Sequence, residues 1–532
     1  MGAGDEVKVS EPQHEVLEDK GLSADEIQLR AQGHVGELPR QFGAFSTLAL
    51  AFSITNTWVG YAATFVTPAF AGAGPAIFWA PIVACIACLF ITLGLAELAS
   101  AFPSTGGQYH FAFMVAPKKF RAPIAFATGW LSCFAWLFTT AAGYLFLAQC
   151  CVNLATLMHP EYVWTRWQAY LVYCGFIIVV TAIVILLPRT IPMGESVFFW
   201  TSVIGFVVST ITMLAVSDTK QSSRVVFTEW VNQTGWSDGT AFLLAVGQAM
   251  YGFLCTDSAT HISEELPNPS RNVPRAMWGT ILVGIITVLP FTLAFLFSVN
   301  DLEAVSLSLL PIMEVYSQAF QHRGAAFFFT FWILFIYFGA TIGLVVTSGR
   351  LLWAFARDGG LPFSKVFAKT HPTLKVPVYS TLLTAAFCML YGLIYIGSTT
   401  AFNSFVATAI LSLNITYTIP QLIVLLRGRK NVLPARSFDL GPIFGAFCNI
   451  FSTAWVALYA FLFCFPIFLP VQAVSMNYVI VVMAGTALFI ALTWWLPGGK
   501  RGRFTGPNVD IEMLDAVNRG QVGGREGVGD EK

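Results

Sequence analysis

The chain has 532 residues, 56% of them apolar and only 11% charged, with 48 Phe and 15 Trp, whereas soluble domains average about 25% charged residues. So much apolar surface excludes a soluble globular enzyme, and the net charge of zero selects no charged partner such as a nucleic acid. All ten cysteines fall in apolar stretches, so no disulfide framework is expected.

Residues 1–40 are polar and hold eight acids between Asp5 and Glu26, with no apolar run near residue 10. They read as a disordered cytosolic tail and not as a signal peptide. A membrane-crossing helix needs roughly 20 mostly apolar residues. Twelve stretches meet or approach that length: Phe45–Phe70, Ala76–Ala101, Thr128–Ala155, Trp167–Leu187, Glu195–Val216, Thr240–Ile262, Ala276–Val299, Ala325–Arg350, Pro377–Ile396, Phe402–Leu426, Ile443–Phe468 and Asn477–Trp495. Residues 41–497 are therefore predicted to form an all-α polytopic domain of twelve transmembrane helices. The Gly-rich residues 498–532 read as a second disordered cytosolic tail.

Orientation follows from the basic residues. With the N-terminus in the cytosol, the inside loops and their edges hold Lys118, Lys119, Arg121, Arg189, Arg271, Arg275, Arg350, Arg357, Lys365, Lys369, Lys375, Arg427, Arg429, Lys430 and Arg436. The outside loops hold only Arg166, Lys220, Arg224 and Arg323. That bias is the positive-inside pattern and predicts that both termini are cytosolic; the plasma membrane is the expected location. The outer loop 217–239 contains Asn232-Gln233-Thr234, an N-glycosylation acceptor at Asn232.

The first and sixth spans are interrupted near their middles, from Phe52 to Tyr61 and from Gln248 to Asp257. Interruptions in corresponding positions of two halves point to an inverted repeat whose broken helices build a midplane site, although small residues also serve simple close packing. Asp257 is the deepest acid, and an ionisable residue within a span is a functional candidate. It suits a counter-ion to a cationic solute or a proton carrier, and His261, Glu264 and Glu265 follow it at helical spacings. The two glutamates are expected to pair with Arg271, Arg275 or a loop cation. Trp58, Tyr61, Tyr251 and Phe253 are placed to stack on an ammonium group, and Asn56 and Thr57 to donate hydrogen bonds. Thr347 and Ser348 offer hydroxyls that would suit sodium, but such hydroxyls commonly bond to their own helix. No zinc-type H-E-x-x-H and no G-x-x-x-x-G-K-[ST] occurs, so neither a metal nor ATP-driven transport is expected.

Three segments carry a family resemblance: Glu97 to Tyr109, with Pro103-Ser104-Thr105-Gly106-Gly107-Gln108-Tyr109; Asp257 to Pro274, with Glu264-Glu265-Leu266-Pro267-Asn268-Pro269; and Ala356-Arg357-Asp358-Gly359-Gly360-Leu361-Pro362. Together they resemble the amino acid–polyamine–organocation superfamily of secondary transporters, and specifically its fungal amino acid and choline (GABA/choline) branch. The resemblance implies a LeuT-like fold of five-plus-five inverted repeats with broken helices one and six, plus two C-terminal helices. It implies import of an amine or amino acid such as choline or GABA, by proton symport and without a cofactor. The substrate site would comprise Asn56, Thr57, Trp58, Tyr251, Gly252, Phe253, Cys255 and Asp257, with Asp257 and His261 coupling the proton and Tyr251 closing over the site with Trp58. The usual G-[ST]-G of the first span is absent, and the fifth span has no Lys. A broad-range amino acid permease and a non-transporting nutrient sensor of the same fold remain open readings.

Overall fold

Apolar stretches of this length have one way to satisfy backbone N–H and C=O groups away from water, which is bonding within the segment, so the chain folds as helices. The computed structural model describes residues 24–31, 33–34, 36–218, 220–473, 476–495, 504–507 and 509, and no strand occurs among them. The helices that organise the site are α1 (Ala24–Ala31), α2 (Ala44–Thr55), α3 (Thr57–Ala62), α4 (Val66–Ala101), α5 (Gln108–Val115), α6 (Arg121–Met158), α7 (Arg166–Leu186), α8 (Ile191–Val216), α9 (Asp238–Ala249), α10 (Pro269–Ser298), α11 (Arg323–Arg357), α12 (Val378–Gly397), α13 (Thr399–Arg427), α14 (Pro442–Leu462) and α15 (Val479–Trp495).

Among the described residues, ten helices are long and apolar enough to cross a membrane. The twelve stretches read from sequence differ from this at the two ends. The first, Phe45–Phe70, is divided among α2, α3 and the start of α4, because the chain leaves helical geometry at Asn56 and again at residues 63–65. A further departure at Gly72 and Ala73 separates that start from the second span. The last, α15, has 17 residues.

Spans that stand five apart in order pack in pairs: α2 on the segment Thr256–Glu265, α4 on α10, α6 on α11 and α7 on α12. This is the pattern an internal repeat produces.

The tails also differ in part from the disordered reading. Residues 1–23 lie outside the described residues, but Ala24–Ala31 is helical and the stretch through Phe42 lies against the bundle, with Ile27, Leu38 and Phe42 buried. Apolar residues spaced among the acids give this segment something to bury. Of residues 498–532 only 504–507 and 509 are described, and Phe504 packs on Phe126 and Phe355.

Candidate functional site

The two interruptions are true breaks, and they touch. Asn56 (φ 31°, ψ 60°) ends α2, and Cys255 (φ 65°, ψ 22°) follows a short 3₁₀ segment Met250–Phe253. Both lie in the left-handed region, which costs a residue with a Cβ roughly 1–3 kcal/mol and persists only where surroundings hold it. Here each break holds the other. Thr55 Oγ1 donates to the Leu254 carbonyl at 3.1 Å, and Gly252 lies so close to Thr57 that a Cβ there would stand 3.4 Å from both its carbonyl oxygen and its methyl. Asn56, Thr57, Gly252, Phe253 and Cys255 thus gather at one level of the bundle.

The polar groups at this level are unevenly used. Asn56 Oδ1 accepts from Ser202 Oγ at 2.9 Å, while its Nδ2 is buried without a partner. Thr57 Oγ1 is also buried and unpartnered, and faces Gly284 of α10. Tyr251 is partly exposed, with its hydroxyl 3.3 Å from that of Tyr337. Trp58 departs from its expected place over the site: its indole donates to Ser202 Oγ at 2.9 Å and its ring meets Phe291 edge-on at 4.9 Å. It is committed to α8 and α10.

Asp257 is fully buried and surrounded by donors. Its Oδ2 accepts from Gln108 Nε2 at 2.6 Å and Trp136 Nε1 at 3.1 Å, and lies 3.0 Å from His261 Nε2. Its Oδ1 accepts from the Tyr417 hydroxyl at 2.5 Å. In this conformation protein groups occupy both oxygens, so Asp257 makes no direct counter-ion for a solute. Gln108, Trp136 and Tyr417 are site residues that the sequence did not mark. Gln108 lies within a family-like motif, but Trp136 and Tyr417 come from α6 and α13, and neither has a local signal among so many aromatics.

The Asp257–His261 contact fixes a proton count. His261 Nδ1 is 2.9 Å from the Thr105 carbonyl, which can only accept, so Nδ1 carries a hydrogen. Nε2 then bonds to Oδ2 only if a further proton lies between them, on the imidazole or on the carboxyl. Without it, two lone pairs would face each other in a site closed to water.

Glu264 and Glu265 do not continue this chain. Residues 256–265 form a tighter 3₁₀ helix, and each glutamate takes an arginine from α11 in place of Arg271 or Arg275. Arg357 grips Glu264 with two bonds of 2.8 and 3.0 Å, and Arg350 Nε meets Glu265 Oε1 at 2.6 Å with both side chains 1% exposed. Arg271 and Arg275 are exposed.

The three family-like motifs meet on this basic face. Tyr109 OH donates to Asp358 Oδ2 at 2.9 Å, and His34 Nε2 lies 2.9 Å from Asp358 Oδ1. Gln41 Nε2 donates to Glu265 at 2.7 Å, so His34 and residues 36–42 lie as a strap across the motifs. Glu97 holds Arg429 at 2.6 Å and Arg436 at 2.7 Å, tying the 428–441 loop to α4. Burial pushes the Asp358 carboxyl up, but the charge and hydrogen bond of His34 and the charge of Arg357 outweigh it and leave the group below its ordinary range. His110, whose ring lies 5.9 Å from that of His34, is lowered to about 3, first by burial and then by His34.

The opposite face has a cavity of about 400 Å³ between the ends of the first, sixth, tenth and eleventh spans, reaching Thr64 and Gln248 above the breaks. In the outer loop, Asn232 donates its amide to Trp236 O and Asp238 Oδ1 at 2.8 and 2.9 Å, bonds that a glycan on that nitrogen would have to replace. In α11, Ser348 bonds to Thr140 at 2.7 Å and not to the first span, while Thr347 Oγ1 is buried without a partner.

Known proteins match this architecture along most of its length. A family model described as amino acid permease matches residues 42–486. A choline transporter of Saccharomyces cerevisiae is 34% identical over 474 residues, covering 88% of this chain and 83% of its own. A swainsonine transporter of Arthroderma benhamiae is 30% identical, covering 87% and 91%. An amino-acid permease of Arabidopsis thaliana is 26% identical, covering 92% and 97%.

Proposed function

Because the chain belongs to the amino acid permease family of the amino acid–polyamine–organocation superfamily, whose members are transporters and not enzymes, we propose that it imports a small nitrogenous solute by proton symport, with choline the leading candidate and GABA next. The observation that carries proton coupling is the Asp257–His261 pair, whose hydrogen bond requires one shared proton. Its three other donors come from α5, α6 and α13, so loss of that proton would unsettle an anchor between the sixth span and its neighbours.

The solute sits at the joined breaks, with Asn56, Thr57, Gly252, Phe253 and Cys255 around it and Tyr251 offering its ring to an ammonium group, a contact of roughly 0.5–2 kcal/mol. We read twelve spans, counting the divided first and the short last, with the basic face and both termini in the cytosol. The strap and the buried ion pairs then form the inner seal, and the 400 Å³ cavity faces outward. Choline is favoured by the yeast relative's name. The unpartnered Nδ2 of Asn56 supports a second reading, a broad-range amino acid permease, because a free donor suits a carboxylate.

The test is Asp257→Asn in a host lacking its own transporters, followed with labelled choline, GABA and neutral amino acids. The variant should reach the surface in normal amount and lose uptake of whichever solute the wild type carries. Normal uptake by the variant would overturn the role of Asp257.

A further inference from the structure

Glu195 lies at the start of the membrane-embedded part of α8, where the sequence suggests only a span boundary. It is 1% exposed, and neither carboxylate oxygen has a hydrogen-bond partner. Its neighbours come from two other spans. Ser53 of α2 donates to its backbone carbonyl at 3.4 Å. Gly343 of α11 leaves room for it: a Cβ there would stand 3.4 Å from Glu195 Oε1 and 2.6 Å from Ile54 Cγ1. The carboxyl therefore sits where α2, just before its break, meets α8 and α11.

No ion pair reaches it among the described residues. Of the elements packed on α8, α2 carries no titratable group. In α10 there are Arg271 and Arg275, both exposed at the basic end. In α11, Arg350 and Arg357 are taken by Glu265 and Glu264, Tyr337 bonds to Tyr251, and Arg323 lies at the far end. Helix Pro311–Phe320 adds Glu314 and Tyr316, and the turn Pro188–Thr190 adds exposed Arg189. A buried carboxyl with no cation beside it neutralises, and the one hydroxyl near it, that of Ser53, supplies no counter-charge.

We propose that Glu195 is a second proton-binding site of the transport cycle, holding its proton while α2 lies on α8 and α11. When α2 moves off and water enters, the carboxyl O–H bond breaks and the proton passes to water on the basic face. This deepens the reading of a proton-coupled transporter and rests on it, adding a group separate from Asp257 and His261 and placed on α8 against the half of the first span that precedes its break.

The test reads protonation directly and needs neither solute nor transport, so its failure is distinct from a failed uptake assay. Dicyclohexylcarbodiimide modifies carboxyls only when they are protonated in an apolar site. Purified full-length protein in lipid is treated at neutral pH, and labelled peptides are mapped by mass spectrometry. The peptide containing Glu195 should be labelled in the wild type and in Asp257→Asn, unlabelled in Glu195→Gln, and protected when the wild type is treated at strongly alkaline pH. If Glu195→Gln does not fold, the wild-type label and its loss at high pH still decide the matter. No label at Glu195 at neutral pH would overturn the proposal, and so would loss of label on replacing potassium by sodium, which would make the site a sodium site.

Discussion

At Gly107 the backbone takes φ +59°, and a Cβ would stand 2.7 Å from His261 Cε1. The glycine thus permits both the turn and the seat of the imidazole that contacts Asp257 at 3.0 Å. Gly359 also has positive φ, at +81°, but open space beyond it. Both substitutions to alanine meet the left-handed penalty of about 1–2 kcal/mol, but only Gly107→Ala must also displace His261. Gly107→Ala should therefore melt lower than Gly359→Ala and lose proton-driven uptake, which Gly359→Ala should keep. Equal melting points and equal uptake would mean that the His261 seat is unimportant. Asp257 and His261 were legible as the ionisable residues of the sixth predicted span. Their surroundings were not, because Trp136 and Tyr417 approach from positions 121 and 160 residues away in the chain. Glu195 was hidden for a different reason: an acid at the edge of an apolar stretch reads as a surface residue until the neighbouring helices are in place.

Between elements, the basic face has two parts with different physics, the buried ion pairs and the strap over them. The Arg350–Glu265 pair is wholly buried, and removing one partner of such a pair costs about 3–5 kcal/mol because the other charge is left bare. Arg350→Met should lower thermal stability by that order, whereas Arg224→Met, which breaks a pair with 80% and 46% exposed side chains, should cost under about 1 kcal/mol. Similar melting shifts for the two variants would show that the basic face is not closed at Arg350.

The strap adds a pH dependence. The depressed Asp358 carboxyl contributes to docking above its ordinary range, and that contribution is lost as pH falls through its folded value. His110 is held neutral in the docked state, down to about 3, against an ordinary value of 6.5. A released strap lets it take a proton, so the His110 contribution to docking weakens as pH falls below 6.5, by about 1 kcal/mol over the first full unit. Hydrogen exchange in residues 24–42 should quicken between pH 7 and 5.5, and His110→Phe should abolish that change. A pH-independent exchange rate in the wild type would contradict the docking scheme. The breaks themselves were readable at the level of elements, since small and polar residues cluster at both. The strap was not, because its buried apolar residues, Ile27, Leu38 and Phe42, are scattered among polar ones and form no apolar run.

For the molecule as a whole, three features follow one another along the bundle: joined breaks, buried ion pairs on the basic face and a cavity on the other. Hydrophobic bulk alone predicted a polytopic protein, and the motif segments narrowed it to this superfamily. The division of the first span into three helical pieces is what a single apolar stretch cannot show, because hydropathy does not register backbone dihedrals. The most direct test is accumulation of labelled choline in vesicles containing only the purified protein, with and without an imposed pH gradient, acid outside. Accumulation above the outside concentration that collapses when a protonophore is added is the predicted result. Uptake that only equilibrates and ignores the gradient would contradict proton-coupled transport.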